Sequence, residues 1–131
     1  MNNPASPRIV VATRNSGKLR EFRTLLAPLK SRIDCLVDLS IDVEIEESGK
    51  SFAENARLKA IAYSGMTTIP VLADDSGLEV SALGGRPGIY SARYAGPGAS
   101  DPDRVRKLLE ELEPFRSRRD ARFVCDLALA Q

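Results

Sequence analysis

VLADDSGLEVSALGGRPGIYSARY, residues 71–94, joins an apolar strand, an acidic turn and a glycine-rich loop in one segment. Val71, Leu72 and Ala73 read as the end of the strand Ile69 to Ala73, and Asp74, Asp75, Ser76 and Gly77 as a polar turn where it emerges. Adjacent carboxylates at a strand end are poorly explained by packing. They repel, so a cation beside them is favourable, and Asp75 reads first as a metal ligand. Leu78, Val80 and Leu83 continue an extended segment, and Gly84, Gly85, Pro87 and Gly88 form a loop suited to positive φ and close approach of a ligand. A plain tight turn would use the same residues. Arg86 and Arg93 lie beside the loop, with Tyr90 and Tyr94 as stacking surfaces or core residues.

Upstream, Ile9 to Ala12 is a short continuous apolar run, as in a strand covered on both faces. It breaks at Thr13, Arg14, Asn15, Ser16 and Gly17. From Lys18 the period changes, and Leu19, Phe22, Leu25, Leu26 and Leu29 share one helical face until Pro28 ends the helix. Strand, polar turn and helix make a phosphate-binding arrangement, to which Asn15 adds a donor and Lys18 a charge. The loop lacks the glycines of a P-loop or a dinucleotide fingerprint, so an ordinary turn capped by Ser16 with Lys18 in solvent is the competing reading.

Ile33 to Leu39 alternates as a second strand, and Asp42, Glu44, Glu46 and Glu47 then collect negative charge, as solvated loops do. Ser51 and Glu54 have capping-box spacing, predicting a helix from Phe52 to about Ser64, ended by Gly65. Phe52, Ala56, Lys59, Ala60 and Tyr63 fall near one face, so Lys59 either brings its ammonium to a site or snorkels to the surface. Asp101 as N-cap with Pro102 at N1 opens a further helix, striped by Val105, Leu108, Leu109 and Leu112 and stopped by Pro114. A basic patch of Arg116, Arg118, Arg119 and Arg122 leads into a strand alternating at Phe123, Cys125, Leu127 and Leu129. The element order is that of an α/β domain.

With 131 residues, 43% of them hydrophobic, the chain can bury one core. Its 19 basic and 18 acidic residues leave a net charge of +1, so no global basic field draws it to nucleic acid, and any phosphate site must be local. The chain has no histidine, which removes imidazole catalysis and histidine metal sites and leaves proton transfer to carboxylate, lysine or bound water. Cys35 and Cys125 sit in apolar runs without a CxxC pattern and read as buried reduced thiols. Residues 1–7 read as a flexible polar leader, and no run has membrane-spanning length, so a cytoplasmic protein is expected.

Three segments, TRNSGK at 13–18, SFAENARLKA at 51–60 and ADDSGLEVSALGGRPGIYSARYAG at 73–96, together resemble the inosine triphosphate pyrophosphatase family. The resemblance runs in order over almost the whole chain. It implies a mixed, twisted α/β sheet flanked by helices, a nucleotide cleft between lobes, a homodimer, and hydrolysis of noncanonical purine nucleoside triphosphates (ITP, dITP, XTP) to monophosphate and diphosphate with Mg²⁺. By the same resemblance Thr13 to Lys18 hold the triphosphate, with Asn15 and Lys18 the principal side chains. Lys59 is a second phosphate contact, Ser76 and Arg93 touch substrate, and Asp75 binds Mg²⁺ and accepts a proton. The family's other metal carboxylate falls on Glu46 or Glu47. An aromatic-glycine-aspartate motif, a lysine and a terminal serine-histidine-arginine motif, which in the family grip the base, have no counterpart here. The expectation is therefore an incomplete single domain over 1–131: a pyrophosphatase, or a noncatalytic nucleotide-binding remnant requiring a partner or the missing segment.

Overall fold

A computed structural model describes residues 6–131; most of the expected leader, residues 1–5, lies outside it. The elements in chain order are β1 (Arg8–Val11), α1 (Ser16–Leu26), β2 (Arg32–Cys35), α2 (Phe52–Ser64), β3 (Val71–Val80), α3 (Asp101–Leu112) and β4 (Ala121–Ala130). They form a mixed four-stranded sheet in the order β2-β1-β3-β4. β1 runs parallel to β2 and β3, which α1 and α2 make possible by returning the chain to the same end of the sheet. β4 pairs antiparallel with β3 along its whole length, Val71 opposite Ala130 and Val80 opposite Ala121.

This long ladder corrects the reading of Asp74 to Gly77 as a turn. All four lie inside the ten-residue strand β3, which pairs with β4 along one edge. Because side chains alternate across a strand, Asp74 and Asp75 point to opposite faces and share no cation. Val71 and Ala73, on the same face as Asp75, pack with Val10, Ala12, Leu36, Ala60 and Tyr63 into the main core beneath α2. Leu78, Val80 and Leu83 join Leu108 and Leu112 of α3 in a smaller one.

Several boundaries differ from the expectation for local reasons. β2 stops at Cys35, not Leu39, because the Asp38 carboxylate takes the Cys35 N–H at 2.9 Å and the chain turns through Leu36 to Ser40. That bond to the ionised carboxylate also holds Asp38 below the usual carboxylate range. α1 begins at Ser16 and is capped by Asn15, not by Ser16. α3 is capped by Ser100, not Asp101, with Asp103 closing a reciprocal capping box. α2 spans the expected residues, but Glu54 reaches past the cap to the Lys50 N–H at 2.7 Å, while Ser51 accepts from the Glu54 N–H.

The apolar stripe of α1 buries only Phe22; Leu25 and Leu29 are exposed. Leu25 borders the same cavity as Phe123 and Leu127, which with Leu129 stand exposed on one face of β4. Cys125 stands on that face too and is exposed, which corrects its reading as a buried thiol; Cys35 is buried. Among the described residues no helix is long and apolar enough to cross a membrane.

Candidate active site

The odd-numbered face of β3 carries the site. Asp75, only 6% exposed, sits where the core beneath α2 gives way to a cavity of about 520 Å³. Its Oδ2 accepts from Asn55 Nδ2 at 3.0 Å and its Oδ1 from the Ser76 N–H at 3.1 Å. The Glu47 carboxyl faces it. Burial first, then this second carboxyl, push Asp75 from 3.8 up to about 6, against the pull of the Asn55 amide and the Lys59 charge. The Lys59 ammonium lies 3.6 Å from Glu47 with its stem mostly buried, so α2 delivers it to the site and not to open solvent.

Lys18, Lys59, Glu46, Glu47, Asp75, Ser76 and Arg93 all line this cavity. Seven of the residues singled out in the sequence are thus brought together. Glu47 is half-buried beside Asp75 whereas Glu46 is exposed, which separates the two acidic candidates. Arg93 enters from the 3₁₀ segment Gly88–Arg93, its guanidinium 5.4 Å from the Tyr90 ring. That segment sits tightly on β3. Ser91 Oγ accepts the Leu78 N–H at 3.0 Å and donates to the Gly88 carbonyl at 2.6 Å.

Thr13, Arg14, Asn15, Ser16 and Gly17 do not border the cavity; they lead into the first turn of α1, which carries Lys18. Asn15 Oδ1 accepts the Gly17 and Lys18 N–H groups at 2.9 and 3.1 Å, so two of the donors expected for phosphate are occupied by the cap. Thr13 Oγ1 in turn accepts the Asn15 N–H at 3.1 Å. Arg14 reaches away, donating to the carbonyls of Ile41 and Val43 at 3.0 and 3.2 Å. Tyr63 donates to the same Val43 carbonyl at 2.8 Å. The acidic segment is therefore fastened by side chains, although it has no helix or strand of its own.

Two functional neighbours escaped the sequence reading. Asn55 is buried at the spacing of the α2 core residues Phe52, Ala56 and Tyr63. A polar residue at a core position needs partners, and that was the available signal. Asp74 carries an ion pair with Lys18, which only the alternation of a continuous strand would have revealed.

The donor set admits a divalent cation. Among the described residues no three acidic or thiol side chains converge into a closed cage. Mg²⁺, however, is commonly held by one or two carboxylates together with substrate phosphates, and the Asp75–Glu47 pair, close together at one cavity and mutually repelling, meets that description.

Comparison with known proteins finds similarity over most of the chain to one group. The sequence pattern of the Ham1 family matches residues 9–131. The chain is 50% identical over 123 residues to a dITP/XTP pyrophosphatase of Geobacillus kaustophilus, covering 93% of this chain and 60% of the relative. It is 52% identical over 124 residues to a dITP/XTP pyrophosphatase of Geobacter sulfurreducens, covering 93% and 62%. Among solved structures, a HAM1 protein from Coxiella burnetii superposes with a TM-score of 0.86 at 44% identity, over 94% of this chain and 62% of that one. The Staphylococcus aureus Ham1 protein superposes with a TM-score of 0.82 at 42% identity, over the same shares. The chain thus spans about three-fifths of the length of these relatives.

Proposed function

The chain belongs to the Ham1 family, and on that premise we propose that it works as a nucleoside triphosphate pyrophosphatase, cleaving noncanonical purine nucleotides such as ITP, dITP and XTP to monophosphate and diphosphate. The observation that carries this reading is that Asp75, Glu47, Lys59 and Lys18 line one cavity, with the Lys59 ammonium 3.6 Å from Glu47 and the Lys18 ammonium on Asp74 at its wall. The printed names of the relatives, dITP/XTP pyrophosphatases, support the substrate class.

In this reading Asp75 and Glu47 hold Mg²⁺, with Glu46 available at the rim. When bound, Mg²⁺ supplies charge neutralisation on the phosphate oxygens and acidifies water nearby. Asp75 accepts the proton of the water that attacks the α-phosphorus. The α–β anhydride bond breaks and its electron pair leaves on the diphosphate. Lys18 and Lys59 balance that developing charge. Ser76 and Arg93 hold the substrate at the cavity wall. Thr13, Arg14, Asn15, Ser16 and Gly17 act by shaping the first turn of α1 that presents Lys18, with the remaining free amides of that turn directed to phosphate. The protein acts on free nucleotides in the cytoplasm, as a homodimer, without nucleic-acid or membrane partners.

The deciding experiment measures diphosphate release from ITP, XTP and GTP, with and without Mg²⁺, beside Asp75→Asn. Magnesium-dependent release that is lost in the variant is the expected result. No release from folded protein would overturn the catalytic reading, and sedimentation at a monomer mass would remove the dimer.

A further inference from the structure

Asn55 is 1% exposed, and both ends of its amide are engaged. Nδ2 donates to Asp75 Oδ2 at 3.0 Å on β3, and Oδ1 accepts the Gly49 N–H at 2.7 Å at the end of the acidic segment. One side chain therefore joins the strand that carries Asp75 to the loop that carries Glu46 and Glu47. The loop lies flush against α2 at this point. A Cβ on Gly49 would stand 2.6 Å from Asn55 Oδ1 and 2.8 Å from Glu54 Cβ, closer than any side chain tolerates. Lys59 follows Asn55 by one helical turn, and its ammonium reaches Glu47 from the same side.

A buried amide serving the fold alone needs only to be satisfied, and any backbone group would do. Here its two partners are the carboxylate at the centre of the cavity and the anchor of the segment bearing the opposing carboxylates. We infer that Asn55 is a positioning residue that sets the separation between Asp75 and Glu47, and so the width of the seat available to a divalent cation. This inference rests on the metal-dependent reading above. Asn55 does not touch the cation. It fixes one oxygen of Asp75, leaving the other side of that carboxylate for a ligand, and holds the loop from receding.

The test uses Mn²⁺ as the probe, its binding to the nucleotide-free chain followed by electron paramagnetic resonance, with amide hydrogen exchange at Gly49 as a second readout. Asn55→Ala is expected to weaken Mn²⁺ binding by about tenfold or more and to speed Gly49 exchange about tenfold. Glu54→Ala frees the Lys50 N–H but leaves the Asp75 bond intact, and is expected to change Mn²⁺ affinity by less than about threefold. Equal losses in the two variants, or unaltered affinity in folded Asn55→Ala, overturn the inference. If Asn55→Ala does not fold, Asn55→Ser, smaller and unable to span both partners, carries the same expectations. If the unsubstituted chain binds no Mn²⁺, the metal reading fails separately. Exchange at Gly49 then decides the tether: acceleration in the variant supports it and an unchanged rate overturns it.

Discussion

The Lys18 ammonium rests 2.9 Å from the carboxylate of Asp74, which turns away from its neighbour Asp75. The pair divides the labour of the acidic dipeptide. Asp74 is 5% exposed at its side chain and neutralised by Lys18, whereas Asp75 opens into the cavity with a second carboxyl opposite. Lys18, 37% exposed, keeps its outer surface on that same cavity. Removing the lysine strands a buried charge. Lys18→Met is expected to destabilise the fold by about 1–3 kcal/mol, less than a wholly buried pair because solvent screens the lysine. Asp74→Asn leaves only a half-exposed ammonium unpaired and should cost less. Urea unfolding of both variants gives the comparison, and a larger loss for Asp74→Asn would reverse the assignment.

Asp75→Asn should abolish diphosphate release yet stabilise the metal-free protein at neutral pH. The folded-state proton affinity is raised, from 3.8 to about 6, so its favourable contribution is complete below pH 3.8 and is lost as the pH rises through 6. Above that, the fold bears a buried, repelled charge that the amide lacks. The variant should gain about 1–3 kcal/mol over the parent at pH 7 and nothing near pH 3.5. Thermal unfolding across this range measures it; a constant difference at every pH would exclude charge burial as the cause.

Magnesium relieves the same repulsion. Its addition at pH 7 should raise the melting temperature of the parent, and chelation should reverse the shift, because a cation that binds only the folded chain stabilises it by mass action. Asp75→Asn should respond far less. Equal shifts in both proteins would locate the cation elsewhere.

Asn15→Ala should cost about 1 kcal/mol of stability, the usual value of a lost N-cap, while Asn15→Gly should cost only a few tenths. It also frees the Gly17 and Lys18 amides that Asn15 now occupies. Substrate affinity therefore distinguishes a cap from a phosphate ligand: a fall in stability with unchanged KM identifies the former.

Gly77→Ala should destabilise by more than about 2 kcal/mol. The added methyl would collide with the Gly88 carbonyl and stand 2.6 Å from Ser91 Oγ, the contacts that seat the 3₁₀ segment bearing Arg93. Denaturant unfolding and KM should worsen together.

What the sequence made legible follows from the range of the forces involved. The apolar run at Ile9 to Ala12, the cap at Ser51 and the helix from Phe52 are short-range features; the cap and helix appear as read, and the strand one residue earlier, at Arg8–Val11. The convergence of Lys18, Lys59, Asp75 and Glu47 was accessible through motif resemblance alone, since no local pattern brings residues so distant in the chain together. Asp74 to Gly77 was misread because Asp, Ser and Gly favour turns, and only pairing with β4, some fifty residues later, overrides that preference. The exposed Leu25 and Cys125 show the converse. An apolar period specifies a face but not what lies against it. Arg14, expected at phosphate, donates to the acidic segment, because a long side chain ending in five N–H donors can answer to whichever carbonyls the tertiary fold offers.

The hold of Arg14 and Tyr63 on that segment is addressed to the carbonyls of Ile41 and Val43, groups that every amino acid possesses. Such fastening is blind to the identity of the residues it fastens. Exposed side chains such as those of Asp42, Glu44 and Glu46 can be exchanged without touching these bonds, whereas Ile41 and Ile45 also pack against the main core, so the charge at the rim can be retuned with the loop's course kept. Directed variation of the exposed acidic positions, with Glu47 retained, is thus a means of altering the charge at the rim while the scaffold stays in register.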